Sequence, residues 1–210
     1  MYKTLNKKFV KLRNTLNDKN YLFTTIAYFI APTIAKEKPS SLINFTKSYR
    51  NSYALWEKYK SELFELPNIH FYEIYRKKDS ILVLFYNPQN LSKILSQKDH
   101  LNFLKSFGYN EEMNLNQFLD ILKERFTKEF PHELGIFLGY PLMDVTSFIK
   151  NKGKNYLLCK YWKVYHNPQR AKDIFYNFDR AKIKTLILME NGVEPLNIIR
   201  ANNLVLNDIV

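Results

Sequence analysis

The chain has 210 residues, of which 46% are apolar, 25% charged and 16% aromatic, with one cysteine and a formal net charge of +12. This composition excludes a disordered, collagen-like or disulfide-framed chain and fits one globular domain spanning residues 1–210. No stretch reaches the ~18 uninterrupted apolar residues of a membrane-spanning helix, and lysines and asparagines break up Leu5 to Leu16, so a cytoplasmic protein without a leader is expected.

The charge is uneven. Residues 1–20 carry six basic side chains against one acidic, and residues 150–184 carry ten against two, while the remainder is close to neutral. Two basic segments favour anionic partners, whether a small anion, an acidic protein partner or nucleic acid.

Leu5, Phe9, Leu12 and Leu16 repeat at helical spacing between lysines, which predicts a basic amphipathic helix over 1–17. Asp18 is placed to cap a second helix over 18–35, and Pro32 is expected to bend or end it near Ala31. A short strand is predicted at Ser41–Thr46 and a helix at 50–65 through Tyr53, Trp56, Tyr59 and Leu63. Ile69–Arg76 and Ser80–Tyr86, rich in β-branched and aromatic residues, read as a hairpin. Its second arm is continuously apolar, as a central strand covered on both faces would be.

Asn87-Pro88 and Asn167-Pro168 are cap-plus-proline helix starts, and Asn114 with Gln117 resembles a capping box. A helix is also predicted from Asp99 to Gly108, and a short one at 142–150. Tyr156–Tyr165 reads as a single strand with Cys159, Tyr161, Lys163 and Tyr165 on one face, and Thr185–Met189 as one more strand. The tail to Val210 is apolar and weakly patterned. The fold class is therefore α+β (mixed α/β layers), a small central sheet including the hairpin at about 69–86 and packed by several amphipathic helices.

Residues 131–141 (PHELGIFLGYP), Lys152-Gly153-Lys154-Asn155-Tyr156 and Cys159-Lys160-Tyr161-Trp162-Lys163-Val164-Tyr165 closely resemble the signature of the bacterial DUF3793 family. Ala31-Pro32-Thr33-Ile34-Ala35 with Lys38-Pro39 is an upstream match. The resemblance runs from about residue 20 to 180, leaving the basic helix at 1–17 and a C-terminal extension at 185–210 outside it. It implies a small cytoplasmic protein, loosely associated with flavodoxin-like or iron-acquisition functions, and supplies no activity. Ile30 stands where the family commonly has a cysteine, which argues against a two-cysteine redox or metal scheme.

The candidate site residues fall in 131–165. His132 and Glu133 could form an acid/base or ligand pair, although a zinc-protease helix would need a second histidine at Ile136. Gly135 and Gly139 could admit backbone amides to an anion, next to Tyr140. Lys152, Lys154, Asn155 and Tyr156, with Tyr161, Trp162, Lys163 and Tyr165, bring cations and flat rings together, a set able to hold an aromatic anion or stack on bases. Cys159 has no zinc-finger or iron–sulfur spacing around it. Cys159 could be a thiolate nucleophile with His132 or His166 as its base, so an enzyme using His132, Glu133 and Cys159 is the last-ranked reading; no acid–base–nucleophile set is legible, and no catalytic residue and no metal site are expected. The expected function is a non-catalytic accessory protein that uses 131–165 to hold a small anionic ligand or protein partner. Haem or another tetrapyrrole, with His132 or Cys159 as axial ligand, is the alternative cofactor reading, and nucleic-acid binding by the basic segments is a further one.

Overall fold

The computed structural model of the chain describes residues 2–201. Its centre is a three-stranded antiparallel sheet of β1 (Ser40–Thr46), β2 (His70–Lys77) and β3 (Ser80–Tyr86) in the order β1-β3-β2. β3 is central, which explains its unbroken apolar run, because both of its faces are covered. Ile81, Val83 and Phe85 face one layer, with Leu22, Ile26 and Ile30 of α2 (Asp18–Ile34) and Trp56 of α3 (Ser52–Tyr59). Leu84 and Tyr86 face the other, with Leu91 of α4 (Pro88–Leu95) and Phe118 and Leu122 of α6 (Leu115–Lys128).

Trp56 is fully buried, stacked on Phe45 at 4.8 Å and met edge-on by Phe71 and Phe85. Each such ring pair contributes about 0.5–1.5 kcal/mol beyond the area it buries. The α6 capping box forms as its sequence predicts, Gln117 N donating to Asn114 Oδ1 at 3.1 Å and Asn114 N to Gln117 Oε1 at 2.8 Å. Asn87 caps α4 and Asn167 caps α9 (Pro168–Glu190) by accepting the backbone amides of Asn90 and Arg170, each helix with proline in its first turn.

α1 (Tyr2–Asn14) packs Leu5 and Phe9 against Tyr28 and Leu186, so the basic helix lies on its own domain and against the second basic segment. α5 (Lys98–Lys105), the single-turn α7 (Leu134–Phe137), α8 (Leu142–Lys150) and α10 (Pro195–Arg200) complete the helices. β4 (Leu158–Cys159) and β5 (Lys163–Val164) pair as a separate small hairpin.

Several expectations are corrected. Asn17, not Asp18, caps α2. Pro32 does not end that helix, which continues to Ile34 because Ile30, Ala31 and Ile34 are all buried and Ala35 N still reaches Ala31 O at 2.9 Å. The 50–65 helix is shorter, with 3-10 turns on both sides of α3. Residues 156–165 are not one strand. They fold back on themselves between β4 and β5, so the alternating faces read from sequence do not exist. Thr185–Met189 is not a strand but the last turns of the 23-residue α9, with Thr185, Leu186 and Met189 buried and Ile187 turned outward. The tail beyond 201 lies outside the described residues.

Candidate functional site

Two segments a hundred residues apart meet at the site. In the turn after α2, Pro39 and Ser40 pack on the α7–α8 connection, where Ser40 Oγ donates to Phe137 O at 2.7 Å. Gly139 takes φ +74°, and a Cβ there would fall 2.5 Å from Pro39 Cδ. A Cβ on Gly135 would fall 2.7 Å from Val145 Cγ2. Both glycines therefore serve close packing, and the expectation that they open amides to an anion is replaced by this role.

The β4–β5 hairpin is fastened by a carboxylate that sequence reasoning missed. Asp144 of α8 is buried, and its Oδ2 accepts from Trp162 Nε1 at 2.7 Å. Its Oδ1 accepts the backbone amides of Tyr165 and His166 at 2.8 and 2.9 Å. A carboxylate that takes three donors can be buried because they replace its water. The only trace of this in sequence is an acid within the apolar stretch Pro141–Ile149. Trp162 then stacks on Tyr140 at 5.2 Å and meets Phe175 of α9 edge-on at 4.5 Å. Tyr140 donates its hydroxyl to Tyr161 O at 3.2 Å, and burial pushes that phenol up to about 12.

Between α7, α8 and the hairpin lies a cavity of about 340 Å³. His132, Gly135 and Tyr140 contribute to its wall, as do Cys159, Tyr161, Trp162 and Lys163. Leu134, Leu138, Val145 and Phe148 supply apolar lining, and Lys160 a second cation. Lys163 Nζ donates to Gly153 O at 2.9 Å and lies over the rings of Tyr156 and Phe148 at 5.1 and 5.7 Å.

The other predicted residues are elsewhere. Glu133 does not act with His132. It is fully buried and takes Arg125 of α6 as its ion pair, while His132 stays exposed with its ring edge-on to Phe148 at 5.4 Å. Lys152, Lys154 and Asn155 form an exposed turn off the cavity, with Lys152 and Asn155 at positive φ. Tyr156 does not line the cavity and meets Lys163 Nζ with its ring, and Tyr165 contributes its backbone to Asp144. Gly139 lines a wider groove of about 820 Å³ on the far side of the Tyr140–Trp162 stack, beside His100, His166 and Arg170. Among the described residues no group of three His, Cys, Asp or Glu side chains is placed to hold a metal ion, and Cys159 is an exposed free thiol.

These features define an α+β protein whose central sheet supports an aromatic, lysine-edged cavity built by one short hairpin and two short helices. The chain belongs to the DUF3793 family, described as a protein of unknown function, whose family model matches residues 26–199. The match extends beyond 180, through α9 and into α10. No curated protein and no solved structure matches the chain. Among the described residues no helix is long and apolar enough to cross a membrane.

Proposed function

We propose that this protein is a binding protein that holds a small, flat, anionic molecule in the cavity between α7, α8 and the β4–β5 hairpin. One observation carries the reading: an apolar and aromatic cavity of about 340 Å³ has two lysines, Lys160 and Lys163, on its wall. Its size is at the lower end of small-molecule sites, which run from about 300 to 1,000 Å³. Rings supply area to a planar ligand, and Lys163, whose ammonium has no ion pair among the described residues, selects its charge. No nucleophile–base hydrogen bond lies in the wall, which favours holding over conversion: Ser147 Oγ meets His166 Nε2 at 2.9 Å, but neither lines this cavity.

The test uses 8-anilinonaphthalene-1-sulfonate, an aromatic sulfonate, with fluorescence read as it is titrated into the full chain. Saturable binding at one equivalent is expected, weakened about five- to tenfold in Lys163→Met, since one desolvated charge contact is worth roughly 1–1.4 kcal/mol. Binding that is unaffected by Lys163→Met, or no saturable binding, overturns the reading.

The tetrapyrrole alternative is favoured by one fact, that His132 and Cys159 both line this cavity. Haemin added to the chain should then give a Soret band that shifts in His132→Ala or Cys159→Ala. An unshifted band in both variants removes it.

A further inference from the structure

Beside the hairpin, three lysines from three elements lie over one group of aromatic rings, and one of them pairs with a carboxylate. Lys38, in the turn between α2 and β1, holds its Nζ 5.5 Å from the ring centre of Tyr140 and 5.9 Å from that of Phe178. Lys182 of α9 holds its Nζ 4.7 Å from the ring centre of Tyr161 and 5.3 Å from that of Tyr28. Lys160, between β4 and β5, lies 5.6 Å from the same Tyr161 ring and pairs with Asp179 Oδ2 at 2.5 Å. The second oxygen of Asp179 accepts the Tyr161 hydroxyl at 2.8 Å.

Both oxygens of the carboxylate are thus engaged, by Lys160 and Tyr161, while Lys182 lies in its field and Lys38 in the field of Lys182. Lys182 is 6% exposed, and neither it nor Lys38 has an ion pair or hydrogen bond from its Nζ among the described residues. Glu37, the residue before Lys38, is engaged by Asn177 at 3.1 Å. Faces of aromatic rings attract a cation but leave its N–H donors unspent. Fully ionised, the cluster carries two net positive charges. Lys182 is buried, Lys38 is half-buried, and the Lys160 side chain is 32% exposed.

We propose that Lys38, Lys160 and Lys182 form a receptor for the dianionic phosphoryl group of an aromatic or apolar phosphate monoester. The charge count matches, since a phosphate monoester carries about −1.5 to −2 near neutral pH and offers three acceptor oxygens to three ammonium groups. Half-buried Tyr140 and Tyr161 supply ring surface for the rest of the molecule. The titration of the lysines is consistent with this. Burial, and next the charge of Lys182, hold Lys38 down at about 7. Burial, with Lys160 adding to it against Asp179, holds Lys182 at about 8. A bound dianion restores the protons, so binding near pH 8 takes up protons from the buffer. Lys160, Tyr140 and Tyr161 also line the 340 Å³ cavity, so the receptor adjoins that site and shares these residues, while Lys38 and Lys182 belong to the receptor alone.

The experiment is isothermal titration calorimetry of the full chain with phenyl phosphate at pH 8 and low salt, repeated in buffers of different ionisation heat. Expected are 1:1 binding with proton uptake, and affinity reduced about tenfold or more in Lys38→Met and in Lys182→Met, since each removes one charge-assisted contact. Lys154→Gln on the exposed turn should bind as the parent does. Lys38→Met and Lys182→Met each remove a poorly hydrated ammonium, so thermal melts no lower than the parent's are expected. Should either melt lower, Lys38→Gln or Lys182→Gln takes its place. Titrating 8-anilinonaphthalene-1-sulfonate into the same variants separates the two sites. Phenyl phosphate weakened in Lys38→Met and Lys182→Met, with the sulfonate bound as by the parent or not bound by either, supports the receptor even if the cavity reading has failed, whereas equal weakening of both ligands overturns it. Parent-like affinity in both lysine variants, or no binding by the parent, also overturns it.

Discussion

Lys38 shows how far a residue's chemistry depends on its surroundings. In sequence it is one of many lysines, set apart only by the proline that follows it. In the fold it sits half-buried over Tyr140 and Phe178, in the field of Lys182. Its folded value near 7 lies below the value of about 10.4 expected in the unfolded chain. Between those limits the unfolded state binds more protons than the folded one, so this residue makes stability rise with pH from about 7 towards about 10. Below 7 both states are protonated and the penalty for the buried ammonium is present in full. Lys182, Lys160, Asp179 and the phenols of Tyr28, Tyr140 and Tyr161 face the same cluster and shape the curve. Urea midpoints from pH 6.5 to 9 should therefore climb more steeply in the parent than in Lys38→Met. Parallel curves would show that Lys38 titrates normally.

Among the elements, α6 and α7 are joined by the Arg125–Glu133 pair, and its asymmetry decides what each deletion does. Glu133 is fully buried while the Arg125 side chain is 20% exposed, its guanidinium 4.7 Å from the Phe107 ring centre. Removing the arginine leaves a carboxylate in the core, at a cost of about 3–5 kcal/mol. Arg125→Met should unfold at lower urea than the parent. Arg125→Met/Glu133→Leu should recover most of the loss. A double variant no more stable than Arg125→Met would contradict the pairing. Sequence did place α4, α6 and α9 well, because their cap residues sit next to their own helices. It failed at 185–189, where an apolar run fits a strand or a buried helix equally well until the neighbouring faces of α2 and α1 select the 3.6-residue period.

Across the whole molecule, the upstream and downstream motifs are one structural unit. Pro39 and Gly139 touch at a contact that leaves no space for a Cβ, and Gly139 lies at positive φ. Gly139→Ala should cost about 2–3 kcal/mol, combining left-handed strain of about 1–2 kcal/mol with the clash. In a Pro39→Ala background the clash is relieved and the strain remains, so the cost should fall by about 1 kcal/mol. A double-mutant cycle on urea unfolding measures this coupling, and strict additivity would mean that the two segments do not press on each other.

The linear order of residues determined the parts of this protein that depend on near neighbours: the apolar run of a central strand, the asparagine caps, the short helix of residues 142–150 and a 131–165 segment dense in rings and lysines. It could not determine which of those rings and charges meet. Asp144 reaches across about twenty positions to Trp162, and Lys182 comes beside Tyr28 from more than 150 positions away. Such encounters are fixed by how helices pack on both faces of the sheet, because burial and the need to satisfy buried polar groups are properties of the assembled interior, not of a local stretch of chain.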